Sequence, residues 1–226
     1  MKKVILIFVT VVLIGAIFGC SSGNKSASDV STPNTQTTSV NQGTPASNVA
    51  ASTEKIKFKT AGGSDLFSLK QVADGAKLVD ANEKELARIK TDKPGKIKLK
   101  NADDKVLGYV VAEKGYWKVE NPEQNKELYI LRRQDDGNYK LEDGAKKEIY
   151  IINASKNGLE IGTPDKKLVY GVKVKEGKTS LNASGKTVFS TKSNLSPIAF
   201  ACFGFDVLTR EQQAALAYAV NLTGGQ

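Results

Sequence analysis

The chain has 226 residues, 25% of them charged and 40% apolar, with 20 Gly, 6 Pro, 2 Cys, no histidine and a formal charge of +9. That length suits one domain of ordinary size with appendages and is too short for two large cores. Without histidine there is no Ser-His-Asp or Cys-His catalysis, no His-ligated metal and no histidine pH switch. Two cysteines cannot build a zinc finger or a disulfide framework, and the mildly polar overall hydropathy excludes a polytopic helical membrane protein.

Residues 1–19 read as an export signal. Lys2 and Lys3 supply a positive start, and Val4 to Phe18 is an apolar run of fifteen residues interrupted by Thr10 and Gly15. A membrane span needs about 20 such residues, so the run fits the apolar centre of a signal peptide better than a span. It ends in Ile17-Phe18-Gly19-Cys20 followed by Ser21-Ser22-Gly23, which resembles the lipobox of bacterial lipoproteins. The resemblance implies that Cys20 becomes the mature N-terminus, thioether-linked to diacylglycerol and carrying a further acyl chain such as palmitate. Two or more chains hold a protein on a membrane where one does so only marginally. The implied address is the cell membrane or outer membrane, facing the periplasm or the exterior. Ser21 is not the aspartate associated with inner-membrane retention. The alternative is an uncleaved N-terminal anchor with an incidental cysteine.

Residues 20–53 follow as a tether. Between 21 and 53 there are eight Ser and six Thr, with no aromatic, Leu or Ile. Such a composition cannot bury enough apolar surface to offset chain entropy and is expected to be disordered. Its ends would lie about 30 Å apart as a flexible coil.

The folded domain is expected over 54–226, with 30 basic and 23 acidic side chains, a net of +7. Lys55-Ile56-Lys57-Phe58-Lys59 and Lys96-Ile97-Lys98-Leu99-Lys100 alternate cleanly, the pattern of strands with one buried face. Leu168, Tyr170, Val172 and Val174 are expected to share an inward face in the same way. Turn chemistry recurs every ten or so residues, at Asp92-Lys93-Pro94-Gly95, Asp135-Asp136-Gly137-Asn138 and Lys156-Asn157-Gly158 among others. A hairpin echo, strand then Lys-containing polar turn then strand, starts at Lys77, Lys98, Lys140 and Ser180. Repeated hairpins of one length favour a meander or closed barrel.

Two helices close the chain. Ser196-Pro197 predicts a helix start, and Ile198 to Phe205 is apolar on every side, which demands burial all round. Thr209 with Gln212 forms a capping box for a second helix. The expected spans are 196–207 and 209–222. Many short hairpins before an apolar C-terminal helix resemble the tubby-like barrel of tubby domains, phospholipid scramblases and LURP-one-related proteins. That resemblance implies a mostly β fold: an antiparallel, closed or nearly closed barrel of about twelve short strands around a buried C-terminal hydrophobic helix. A β-sandwich with a docked helix is the alternative, and which of the two helices fills the barrel stays open.

The candidate chemistry is sparse. Asp135, Asp136, Asn138 and Glu142 resemble a calcium loop only faintly and read as a hairpin turn; no metal and no cofactor is expected. No carboxylate pair stands out among the acids, so no catalytic residue is nominated and the chain is not expected to be an enzyme. Cys202, inside the apolar segment, reads as buried and inert, and Trp117 as core. If Ile56, Phe58, Ile97 and Leu99 point inward, then Lys55, Lys57, Lys59, Lys96, Lys98 and Lys100 point outward and form a candidate anion-facing surface. Ordinary solvated lysines would look the same. The expected function is a membrane-anchored, non-catalytic binding module, for anionic phospholipid as the barrel resemblance implies; the alternative is a structural envelope lipoprotein that binds another protein. Nucleic acid is not an expected partner outside the cytoplasm.

Overall fold

The computed structural model describes residues 54–224; the expected signal peptide, lipidation at Cys20 and tether fall outside the described residues. Fourteen strands follow one another: β1 (Lys55–Thr60), β2 (Asp65–Val72), β3 (Gly75–Asp80), β4 (Glu85–Lys93), β5 (Lys96–Asn101), β6 (Val106–Glu113), β7 (Tyr116–Glu120), β8 (Glu127–Arg133), β9 (Tyr139–Asp143), β10 (Glu148–Ser155), β11 (Gly158–Gly162), β12 (Leu168–Lys175), β13 (Lys178–Ala183) and β14 (Lys186–Thr191). Each pairs antiparallel with its sequence neighbours, and β14 returns to pair with β1, closing the barrel. Closure leaves no free sheet edge. The seam between first and last strands is short, with only Phe58↔Thr191, Lys59↔Ser190 and Thr60↔Phe189 in register.

The hairpin echo has a structural basis at one rim. The turns starting at Asp80, Asn101, Asn121 and Asp143 share one design, in which the first side chain accepts the backbone N–H of a closing lysine (Lys84, Lys105, Lys126, Lys147) at 2.9–3.0 Å. Thr163 and Lys167 form a fifth such turn through their backbones. In every case a residue shortly before that lysine sits at positive φ, between 58° and 68°: Glu83, Asp104, Gln124, Lys146 and Lys166. The first residue of the turn thus satisfies backbone donors that the reversal would otherwise orphan.

After β14 the chain turns into the lumen. Ser196 caps α1 (Pro197–Ala201), with its hydroxyl accepting from the Ala199 N–H at 3.3 Å. A 3-10 turn over Cys202–Gly204 follows. The chain reverses at Phe205–Leu208 and returns as α2 (Arg210–Leu222), started by the Thr209/Gln212 capping box. α1 packs on β11, β12 and β13, and α2 on the wall from β3 to β7. Phe58, Phe67, Phe189, Phe200 and Phe203 form an aromatic cluster on one side of the lumen, with Phe203 centred 4.6 Å from Phe58 and 5.4 Å from Phe67.

Three expectations need correction. The barrel has fourteen strands, not about twelve, because two helical segments share the lumen and two helices side by side need a wider ring than one. The first helix stops at Ala201 and does not run to 207. A Cβ on Gly204 would lie 3.1–3.2 Å from Leu181 and Ile161, so the tightened turn at this glycine lets the wall close on the plug. Leu168 and Val174 do not join Val172 inside. A register shift between Ile161 and Gly162 turns Leu168 out, 59% exposed, and Val174 lies beyond the core at 42%. Trp117 and Cys202 are fully buried, and Asp135–Gly137 is a turn closed by the Gln134 N–H on Asn138 O.

Candidate functional site

The alternation of β1 and β5 places their lysines as the sequence suggests. Ile56, Phe58, Ile97 and Leu99 are buried, and the six lysines stand on the outer face. The two stripes are not neighbours, since β2, β3 and β4 lie between them. The register joins them nonetheless. Lys55 is opposite Lys70, Lys70 opposite Lys77, Lys77 opposite Arg88, and Arg88 opposite Lys100. Five cations therefore form one row across five strands, three of them (Lys70, Lys77, Arg88) absent from the sequence candidates.

Like charges directly opposite one another repel, and here the hairpin acids interleave. Glu83 reaches both Lys55 and Lys70, and these two ammonium groups hold its carboxyl at about 2. Glu85 lies 2.9 Å from Lys77 and also pairs with Arg88. Burial raises its pKa, but the two cations outweigh that and the net shift is downward. Asp104 lies 3.3 Å from Lys100 and 3.0 Å from Arg88, with Lys100 the larger cause of its lowered pKa. Asp92 holds Lys98 at 2.7 Å, while Lys96 bonds Gln124 and stands 4.8 Å above the Tyr109 ring. On this side the lysines are in large part neutralised from within.

The other side of β1 differs. Phe58 and Thr179 both pair with Thr191, which sets Lys57, Lys192 and Lys178 side by side on the outer face, and Lys178 is opposite Lys175. One level further in, Lys59, Ser190, Ser180 and Lys173 form a second row. Asp65 answers Lys57 and Lys59 at 3.1 and 2.9 Å, and Lys59 is the first cause of its lowered pKa. Glu176 lies 3.6 Å from Lys175, both groups being more than 80% exposed. Among the described residues no carboxylate pairs with Lys173, Lys178 or Lys192. A groove of about 430 Å³ opens along this seam, lined by Lys55, Lys57, Lys59, Lys178, Ser190 and Lys192 among others. Sequence reasoning passed over Lys178 and Lys192 because neither sits in an alternating stripe, one flanking a turn and one following the last strand; Lys175 does alternate, after Val172-Lys173-Val174, but only closure of the barrel gives it these neighbours.

Burial pushes the Cys202 thiol well above its ordinary pKa, and its Sγ donates to Ile198 O at 3.4 Å. Among the described residues no three Asp, Glu or Cys side chains gather as metal ligands, and no helix is long and apolar enough to cross a membrane. The latter says nothing about strands. Cys20 lies outside the described residues.

Together these features define a class: a fourteen-strand up-and-down barrel, plugged by its own C-terminus, with a basic belt on its wall. Among solved structures, the chain is similar to a protein from Arabidopsis thaliana known by X-ray crystallography, at 14% identity and a TM-score of 0.38, over 69% of this chain and 90% of that one. A likeness of that size carries no argument, and the barrel rests on its own strand order. No protein-family model matches the chain, and no curated protein does.

Proposed function

We propose that this protein is a lipid-anchored, extracytoplasmic binding module without catalytic activity, and that its partner is anionic: anionic phospholipid, or another polyanion of the cell envelope. In this reading Cys20 carries the lipid, residues 21–53 give the domain reach, and the barrel wall presents the charge. One observation carries it. Basic side chains line the outer wall from β12 to β5, largely answered by Glu83, Glu85 and Asp104 in the row from Lys55 to Lys100 but left in excess at the seam, where Lys175, Lys178, Lys192 and Lys57 meet. Near an anionic membrane a basic side chain is worth about 1 kcal/mol, falling off within a Debye length.

The test is co-sedimentation of the unlipidated chain from Ser21 to Gln226 with anionic and neutral vesicles, at low and high salt. Binding that is selective for anionic vesicles and lost at high salt is expected. Retention at high salt, or equal affinity for neutral vesicles, overturns the charge-driven reading and turns the search to a protein partner.

A further inference from the structure

We infer that the seam groove is a binding site for a linear polyanion, a chain carrying regularly repeated phosphate, sulfate or carboxylate groups, laid across the strands from β12 to β1. The inference rests on the anion-binding reading above and gives it a location and a ligand shape.

Three observations converge. The first is imbalance. The seam carries Lys57, Lys59, Lys173, Lys175, Lys178 and Lys192 against two carboxylates, Asp65 and Glu176. On β1 to β5, by contrast, Glu83, Glu85, Asp92 and Asp104 answer the cations. Opposed like charges are destabilising, so the free barrel holds a repulsion at the seam that an anion relieves and that the rest of the belt has already relieved internally.

The second is geometry. Lys175 is opposite Lys178, and the register at Thr191, extended by one residue past β14, brings Lys192 between Lys178 and Lys57, in a line across the strands. With strands about 4.8 Å apart, the line is about 14 Å long. A lone small anion reaches only part of such a line, whereas a polymer with repeated charges matches its length. The line also follows the curve of the barrel wall, which a flexible chain can track and a flat bilayer meets only in part.

The third is the floor. Ser190 and Ser180 lie between Lys59 and Lys173 in the next row, and Ser190 is 5% exposed beneath the groove. Thr191, opposite the lumen-facing Phe58, turns its side chain inward, so the floor of the groove is made by the serines.

The experiment measures binding of inorganic polyphosphate, of inorganic phosphate and of anionic vesicles to the chain from Ser21 to Gln226. The wild type is compared with a Lys178→Gln/Lys192→Gln variant and a Lys98→Gln/Lys100→Gln variant, each first shown to keep its thermal midpoint. The expected result is polyphosphate bound far more tightly than phosphate. The seam variant should bind it about tenfold or more weakly, with the slope of log affinity against log salt reduced by about two, and the β5 variant should lose little. Equal losses in the two variants overturn the seam site while leaving the anion-binding reading intact. Vesicle binding that depends on Lys178 and Lys192 without polyphosphate binding overturns the linear ligand in favour of a membrane surface. If the wild type binds none of the three, both readings fail.

Discussion

The indole N–H of Trp117 donates to the hydroxyl of Thr223 across 3.0 Å, tying β7 to the end of α2 from 106 positions away in the chain. Trp117 is fully buried, so this bond both satisfies the indole and fixes how far the plug enters the barrel. Thr223→Val keeps the shape and removes the acceptor, and the loss is expected to be about 1 kcal/mol. Denaturant unfolding followed by Trp117 fluorescence measures it; an unchanged midpoint would show that water replaces the hydroxyl at no cost.

Phe203 is the side chain on which wall and plug meet. Its ring lies against Phe58 and Phe67 and is 2% exposed. Phe203→Ala leaves a cavity where wall and plug meet and should cost about 3–5 kcal/mol. Phe203→Asp places a charge in the centre of the barrel and should abolish folding. Soluble, cooperatively unfolding Phe203→Asp protein would refute the assignment of this segment as plug.

How far this much was legible in the sequence depends on the range of the interaction. The alternation in β1 and β5 is local, and it places Ile56, Phe58, Ile97 and Leu99 inside without reference to any other strand. The caps at Ser196 and Thr209 are equally local. Strand count was harder, because two-residue turns such as Ala73-Asp74 leave almost no polar break between neighbouring strands. Register is non-local. That Lys70, Lys77 and Arg88 bridge the two lysine stripes follows only once each hairpin is aligned. That Lys192 meets Lys57 follows only from closure between the first strand and the last.

Backbone approach makes a second kind of prediction at Gly75, the first residue of β3. Its φ is +156°, and a Cβ there would fall 1.8 Å from the carbonyl oxygen of Ile89 on the neighbouring strand. Gly75→Ala must therefore push β3 from β4, at a cost well above the ~1 kcal/mol of an ordinary backbone substitution. Loss of amide protection in β3 and β4 ahead of the other strands is the expected signature in hydrogen exchange; uniform protection would show that the wall yields without local opening.

Glu83 is one of the carboxylates expected to shape the acid limb of stability. Its carboxyl is held at about 2 by Lys55 and Lys70, below its ordinary 4.5, and Asp65, Asp92 and Asp104 are shifted the same way. Depressed carboxylates stabilise the fold fully above the unfolded pKa, and the contribution disappears as pH falls through the folded one. Thermal midpoints should thus decline between about pH 4.5 and 2, and Glu83→Gln should flatten that decline. A decline of unchanged steepness would assign the acid limb to the other carboxylates.

The alkaline limb involves Tyr170, whose hydroxyl donates to Asp206 at 2.8 Å. Burial first, and the bond to Asp206 second, push its pKa up from 10 to about 12. A raised pKa on a group neutral below it means stability present below pH 10 and lost as pH rises towards 12. Titration by phenolate absorbance should show a late step that Tyr170→Phe removes; a variant that keeps the step would place it on another tyrosine.

The order of the elements along the chain has a consequence for biosynthesis. Thirteen of the fourteen strand pairings join immediate sequence neighbours, so hairpins can form one after another as the polypeptide emerges. The lumen side chains of all those strands, from Phe58 to Phe189, nevertheless wait for residues 197–222 before they are covered. A chain stopped before Pro197 is a rolled sheet with its greasiest face open to water, a substrate for proteases and for its own neighbours, and one stopped before Arg210 still lacks the helix that covers β3 to β7. Quality control of this protein is thus written into its last thirty or so residues, and a C-terminal truncation should be far more damaging than an N-terminal one that stops short of Lys55.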